Sequence, residues 1–186
     1  MHISIKMKAS LFKETEIPSG VEVSRNGKEV LVKGPLGEIK KSFDFGKLDF
    51  EVKEGKVRIG NEKSTRSEKK MMNTITARLK NMIKGVQEKF EYKLKVCAGH
   101  FPMTVKVEGN KAIVKNFLGE KKDRIVPIPQ GAEVQVNKDI ITISAIDIDI
   151  AGQAAARFES NVKAPNKDRR IFQDGIYMTN KAGRDL

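Results

Sequence analysis

This chain of 186 residues holds little of what most chemistry needs: one cysteine, two histidines, no tryptophan, and aromatic residues at only 6%. A single cysteine, Cys97, excludes an intrachain disulfide and any all-cysteine metal site. It stands in the alternating run YKLKVCA, which fits a small buried side chain better than a reactive thiol. His2 is terminal, and His100 stands in AGHFPM with no second histidine nearby to build a metal centre. Alone, His100 fits a loop or nucleic-acid contact better than a general base. No apolar stretch approaches the ~20 residues of a membrane span, and the first ten residues lack a hydrophobic signal core. No phosphate-cradling glycine loop precedes a helix, because Gly34, Gly37 and Gly119 fall in hairpin turns. The scarcity of aromatics argues against a carbohydrate or aromatic-ligand pocket. These absences together predict a soluble, cytoplasmic protein that is not an enzyme, with no cofactor, metal or small-molecule substrate.

What the chain has in excess is positive charge. The formal net charge is +12 and the pI about 9.7, with both halves of the chain basic. That balance favours a polyanion, a nucleic acid ahead of an acidic membrane surface. Cations cluster at Lys40-Lys41, at Lys121-Lys122 with Arg124, and at Lys167-Asp168-Arg169-Arg170. The last stretch, residues 163–186, carries Lys163, Lys167, Arg169, Arg170, Lys181 and Arg184 with Phe172 and Tyr177 among them. Cations suit phosphates, and flat side chains suit bases or sugars. This segment has no clean period, so it is expected to bury little core and to be ordered by a partner. The plainer alternative is a solvated tail that packs partly on its own domain.

In chain order, Ile3, Ile5 and Met7 alternate and could begin an edge strand or a short arm. VEVSR, Asn26-Gly27 and KEVLVKG make a hairpin, since Asn-Gly accepts the positive φ of a tight type I′ turn. EIKKSFDF is a third strand, and DFEVKEGKVRIG turns near Glu54-Gly55. Then the period lengthens. Thr65 and Glu68 have capping-box spacing, and Met72, Ile75, Leu79, Met82, Ile83 and Val86 form one helical apolar face. Gly85 is the expected terminator. Lys69, Arg78, Lys80 and Lys84 line the opposite face, where an ordinary solvated surface is the plain expectation. Strands return with YKLKVC, the hairpin across Gly109-Asn110, and AEVQV with DIITISA across Asn137-Lys138. A shorter helix follows Asp147, with Ala and Gly152 set for close packing on a sheet. Asp147 and Asp149 could hold a divalent ion, but Asp147 is better placed as an N-cap.

The halves repeat. VKGPLGE at 32–38 aligns with VKNFLGE at 114–120, an offset of 82, and with a shift of three residues TARL at 76–79 meets AARF at 155–158. A period this long fits a duplicated small domain rather than a solenoid. Hairpins followed by a helix predict an α+β fold of two tandem similar domains, each an antiparallel sheet packed on one main helix. The expected division is 1–88 and 89–186, the second domain ending in the basic tail. Neither an RNA-recognition-motif nor a K-homology signature is present, which points to recognition of a folded RNA by shape and backbone. A different class, a protein-interaction module offering sheet edges, is the alternative.

NKDRRIFQDGIYM at 166–178, with VKGPLGE, AGHFPM and AGQAAARF, resembles the family of the sixth large-subunit ribosomal protein in its archaeal form. The likeness runs essentially end to end. It implies a structural protein of the large subunit bound to its rRNA. It also implies a place near the sarcin–ricin loop and the stalk base, beside neighbouring ribosomal proteins, where translational GTPases dock transiently. Carried onto this chain, it makes Lys167, Arg169, Arg170, Tyr177 and Lys181 the foremost RNA contacts, with His100 and Phe101 next and Lys163 and Arg184 completing the set. Asp174 and Gly175 are expected to shape the tail's turn.

Overall fold

The computed structural model describes residues 9–53, 55–168 and 170–186. Ile3, Ile5, Met7, Glu54 and Arg169, all invoked above, lie outside the described residues. The chain divides into two compact units, residues 1–88 and 89–186.

The first unit holds β1 (Ala9–Glu16), β2 (Glu22–Asn26), β3 (Glu29–Gly34), β4 (Gly37–Ser42), β5 (Asp49–Lys53), β6 (Lys56–Ser64) and α1 (Arg66–Gln87). Its strands form two antiparallel three-stranded sheets, in the orders β1-β6-β5 and β2-β3-β4. The β2–β3 hairpin sits one residue from the expected register. Asn26 pairs with Glu29, so the two-residue loop is Gly27-Lys28, and only Gly27 has positive φ, at 62°. That is the signature of a II′ turn rather than I′. α1 begins at the capping box, where the Glu68 carboxylate accepts the Thr65 N–H. It buries Met72, Ile75, Leu79, Met82, Ile83 and Val86, each worth roughly 1.5–3 kcal/mol of apolar transfer. Gly85 does not end the helix. It is itself buried, and the helix runs on to Gln87. A hairpin tip holds the final turn instead: the Leu36 N–H donates to the Val86 carbonyl at 3.1 Å. A Cβ on Gly34 would lie 2.6 Å from Val86 Cγ2, so this close approach explains the glycine.

The second unit holds β7 (Phe90–Cys97), β8 (Thr104–Glu108), β9 (Lys111–Lys115), β10 (Arg124–Pro127), β11 (Ala132–Asn137), β12 (Ile140–Ala145), α2 (Ile148–Asn161), β13 (Gly175–Lys181) and β14 (Arg184–Asp185). Its sheets are β10-β9-β8 and the five-stranded β11-β12-β7-β13-β14. Asp147 is the N-cap of α2, accepting the Asp149 N–H at 3.0 Å. The helix lies close on the sheet: a Cβ on Gly152 would be 3.4 Å from Tyr92 Oη. Its buried face is Ala151, Ala154, Ala155 and Phe158, and the sheet answers with Phe90, Tyr92, Leu94, Ile141, Ile143 and Ile176. Burial raises the Tyr92 phenol above its ordinary range, and the Asp149 charge adds to that.

Order and pairing repeat between the units, with β1-β6-β5 matching β7-β12-β11. The α+β duplication expected from the sequence is present, with the strands of each unit divided between two sheets. The helical burial pattern follows the three-residue shift: Met72, Ile75, Thr76 and Leu79 correspond to Ala151, Ala154, Ala155 and Phe158. The tips differ as their sequences do. Asn116 takes a left-handed φ of 59° and ends the strand early, turning Phe117 into the core at 1% exposure.

The tail departs from the expectation of a segment with little core. Ile176 is 1% exposed and Asp174 4%, and β13 pairs with β7 from Gly175↔Cys97 to Lys181↔Tyr92. The physical reason lies in β7: a central hydrophobic strand leaves a row of backbone groups on its open edge, and β13 satisfies them.

Candidate nucleic-acid interface

Two segments remote in the sequence meet where β7 ends. Residues 98–103 leave β7, and residues 166–174 lead into β13, whose first residue pairs with Cys97. Asp174 joins them. Its Oδ1 accepts the N–H of Gly99 at 2.7 Å and of His100 at 3.0 Å, and its Oδ2 is paired with His100 Nδ1. Burial alone would push this carboxyl up. The His100 N–H, the His100 ring and the Gly99 N–H outweigh it and hold the group below the usual carboxylate range. A carboxylate accepting at Nδ1 places the proton there and leaves Nε2 as an acceptor in neutral imidazole or a donor in the cation. Gly175 must be small, because a Cβ there would lie 3.0 Å from the Val162 carbonyl oxygen and 3.3 Å from the Tyr177 ring.

From Asp174 a ladder of flat groups builds outward. The His100 ring stacks on Phe172 at 5.1 Å between centroids, tilted 20°. Lys167 Nζ stands 5.0 Å from the Phe172 centroid. Asp168 folds the loop that carries them: its carbonyl accepts the N–H of Ile171 at 3.1 Å and of Phe172 at 2.8 Å. Its carboxylate accepts the Arg170 N–H and is gripped by the Arg170 guanidinium, which holds Asp168 below and Arg170 above their ordinary ranges. Arg170 is nonetheless 90% exposed. A surface pair of this kind is worth little to stability, so a phosphate can compete for the guanidinium.

Of the nominated residues, the structure gathers His100, Lys167 and Arg170 here, with Phe101 adjacent and exposed, its ring 3.5 Å from where a Gly119 Cβ would be. The exposed Lys163 begins the approach, bridging Gly175 through its backbone. Tyr177 is apart, facing out from β13 opposite Lys95. Lys181 and Arg184 are further still, paired at the other end of β13, roughly 20 Å along the strand by its rise per residue. Arg169 lies outside the described residues. By sequence Phe172 stands among the tail aromatics with nothing to mark its central place. Asp174 reads there only as a turn residue, and no spacing rule links positions 74 residues apart.

Other cations are engaged within the fold. Arg124 grips Glu120 through two hydrogen bonds and holds the Glu120 carboxyl below its usual range. It also donates to the carbonyls of Asn161 at 2.9 Å and Lys163 at 3.0 Å and lies 4.1 Å over the Phe117 ring. It fastens the tail's start, a structural role beyond its place in the Lys121-Lys122 cation cluster. Lys40 is paired with Glu29 at 2.8 Å. Among the described residues no group of three His, Cys, Asp or Glu side chains is placed to hold a metal ion, and no helix is long and apolar enough to cross a membrane.

Fold and site thus define a tandem α+β protein with an exposed cationic and aromatic surface. The family model for ribosomal protein L6 matches twice, over residues 17–89 and 101–175. The large ribosomal subunit protein uL6 of Methanosarcina mazei is 44% identical over 90% of this chain and 95% of its own length. That of Methanococcus vannielii is 39% identical over 96% and 98%, and that of Methanobrevibacter smithii 40% over 93% and 97%. The chain belongs to the ribosomal protein L6 family. It is therefore a structural constituent of the cytoplasmic ribosome and not an enzyme.

Proposed function

We propose that the chain binds large-subunit rRNA chiefly through the ladder Asp174–His100–Phe172–Lys167, with Arg170 beside it. The ladder carries this reading because a buried carboxylate fixes a stacked imidazole and phenyl with a cation at their open end. Such a group meets phosphate, sugar and base together on a folded RNA. Phe101 and Lys163 flank it, and Arg169 and Tyr177 are further contacts in this reading. Lys181 and Arg184 add to the field but touch less. In this reading the first domain, 1–88, is a brace, and the second, 89–186, anchors the protein through residues 163–186. The family resemblance supports a location near the sarcin–ricin loop and the stalk base, beside neighbouring large-subunit proteins and within reach of translational GTPases.

Hydroxyl-radical footprinting of large subunits rebuilt with wild-type or Phe172→Ala protein tests this. The expected result is a local loss of rRNA protection, near the sarcin–ricin loop, in the variant. An unchanged footprint would remove the ladder from the interface. Protection lost elsewhere in the rRNA would keep the ladder and discard the location.

A further inference from the structure

We infer that the free edge of β1, with the groove it forms against α1, is a docking site for an extended protein segment that carries an acidic side chain opposite Lys80. The site lies in the first unit and does not depend on the RNA reading of the second. Among the described residues nothing pairs with the outer edge of β1. In the second unit the matching edge, that of β7, is filled by β13. The duplication therefore displays the occupant this geometry accepts: an antiparallel strand lying beside the helix.

The groove is lined by Glu14, Thr15 and Glu16 of β1, Lys56 of β6, and Lys80, Ile83, Lys84 and Gln87 of α1. Thr15 is 6% exposed, and its buried Oγ1 has no hydrogen-bond partner. A buried orphan hydroxyl is rare in a finished core and expected where a partner completes the site. Charge identifies that partner. In the second unit the α2 residue beside β13 is Glu159, whose carboxylate accepts the Met178 N–H at 2.8 Å. By the helical shift of three residues its counterpart in α1 is Lys80, a donor only. The occupant of the first unit must therefore supply an acceptor there, and a carboxylate gives the strongest pairing. Main-chain pairing along β1 would give affinity, and Lys80 and Thr15 would give register.

The test uses the full-length protein assembled into purified large subunits, with a photo-cross-linking residue at Gln87 or Glu16, one on each wall. The expected product joins the chain to a protein segment with Asp or Glu within two residues of the attachment. Lys80→Glu should lower its yield about tenfold, the size of one charge-assisted hydrogen bond. Thr15→Val should lower it severalfold without lowering the thermal midpoint, since the hydroxyl leaves no bond behind. Cross-linking to rRNA, attachment to a segment without a nearby carboxylate, or no product would overturn the inference. So would an unchanged yield in a folded Lys80→Glu protein.

Discussion

β1 in the first unit and β7 in the second hold the same place in their sheets, each next to the strand that precedes the helix, β6 or β12. Yet β7 carries β13 on its other side, while β1 is bare among the described residues. The helices differ to match. α1 buries Met, Ile, Leu and Val side chains, whereas α2 buries three alanines and one phenylalanine. A helix faced with alanine can lie close to a wide sheet whose strands provide the bulk, and β13 adds Ile176 to it. Outward-facing positions diverge too. Glu14 lies opposite Arg58 on β6, and the corresponding β7 residue is Lys95, opposite Ile140. The duplicated scaffold stayed constant while its edge and outer charge changed, and the ladder from Asp174 to Lys167 stands where the added strand begins.

The comparison breaks most severely if β13 is removed. Ending the chain before Gly175 uncovers β7 and takes Ile176 from the core, so the second unit should lose cooperative unfolding while α1 keeps its helical signal. Calorimetry with amide exchange reads both. Next in size is Phe158→Ala, expected to cost about 3–5 kcal/mol, against about 2–5 for Leu79→Ala at the matching place. Denaturant melts will show whether the alanine-rich face is the more sensitive.

Gly60→Ala should cost about 1–3 kcal/mol as overpacking, because the new Cβ would meet the Leu11 carbonyl at 2.2 Å. That carbonyl adjoins the register shift of β1 between Ala9 and Leu11, and the counterpart position in the second unit accommodates Thr142. Asp174→Ala should cost about 1.5–3 kcal/mol by removing the charged acceptor of the Gly99 and His100 N–H groups. The wild-type pH profile carries the same signature. The folded Asp174 carboxyl sits below its unfolded value of about 3.9, so its stabilisation is present above that value and is lost as pH falls through the folded one. Asp174→Asn should flatten the acid limb of the pH profile. Smallest is Arg170→Ala, expected within about 0.5 kcal/mol for stability yet measurable in RNA binding.

Much of this fold was legible from local chemistry. The Asn26-Gly27 hairpin, the Thr65–Glu68 box, the Asp147 cap and the helical face from Met72 to Val86 all rest on short-range rules. Glycine misled twice through context: Gly85 lies inside a helix held by a tertiary contact, and Gly27 rather than Asn26 opens its turn. β13 escaped because its pattern is short, polar on one face at Tyr177 and Lys181, and shifted in register between Met178 and Asn180. The candidate site was legible in composition only. His100, Phe172 and Lys167 could each be nominated, but their stacking depends on Asp174 and on a strand pairing that local patterning does not encode.

The central claim is that the ladder end, rather than the far end of β13, holds RNA. The most direct measurement is a competition for incorporation into large subunits at moderate and raised salt. It compares wild-type protein with a Lys167→Glu/Arg170→Glu variant and a Lys181→Glu/Arg184→Glu variant, all first shown to be folded. Four units of reversed charge at phosphate contacts should cut incorporation of the first variant about a hundredfold, with a shallower salt slope. The second variant should lose only a few fold. Equal losses, or a greater loss for the second variant, would contradict the account.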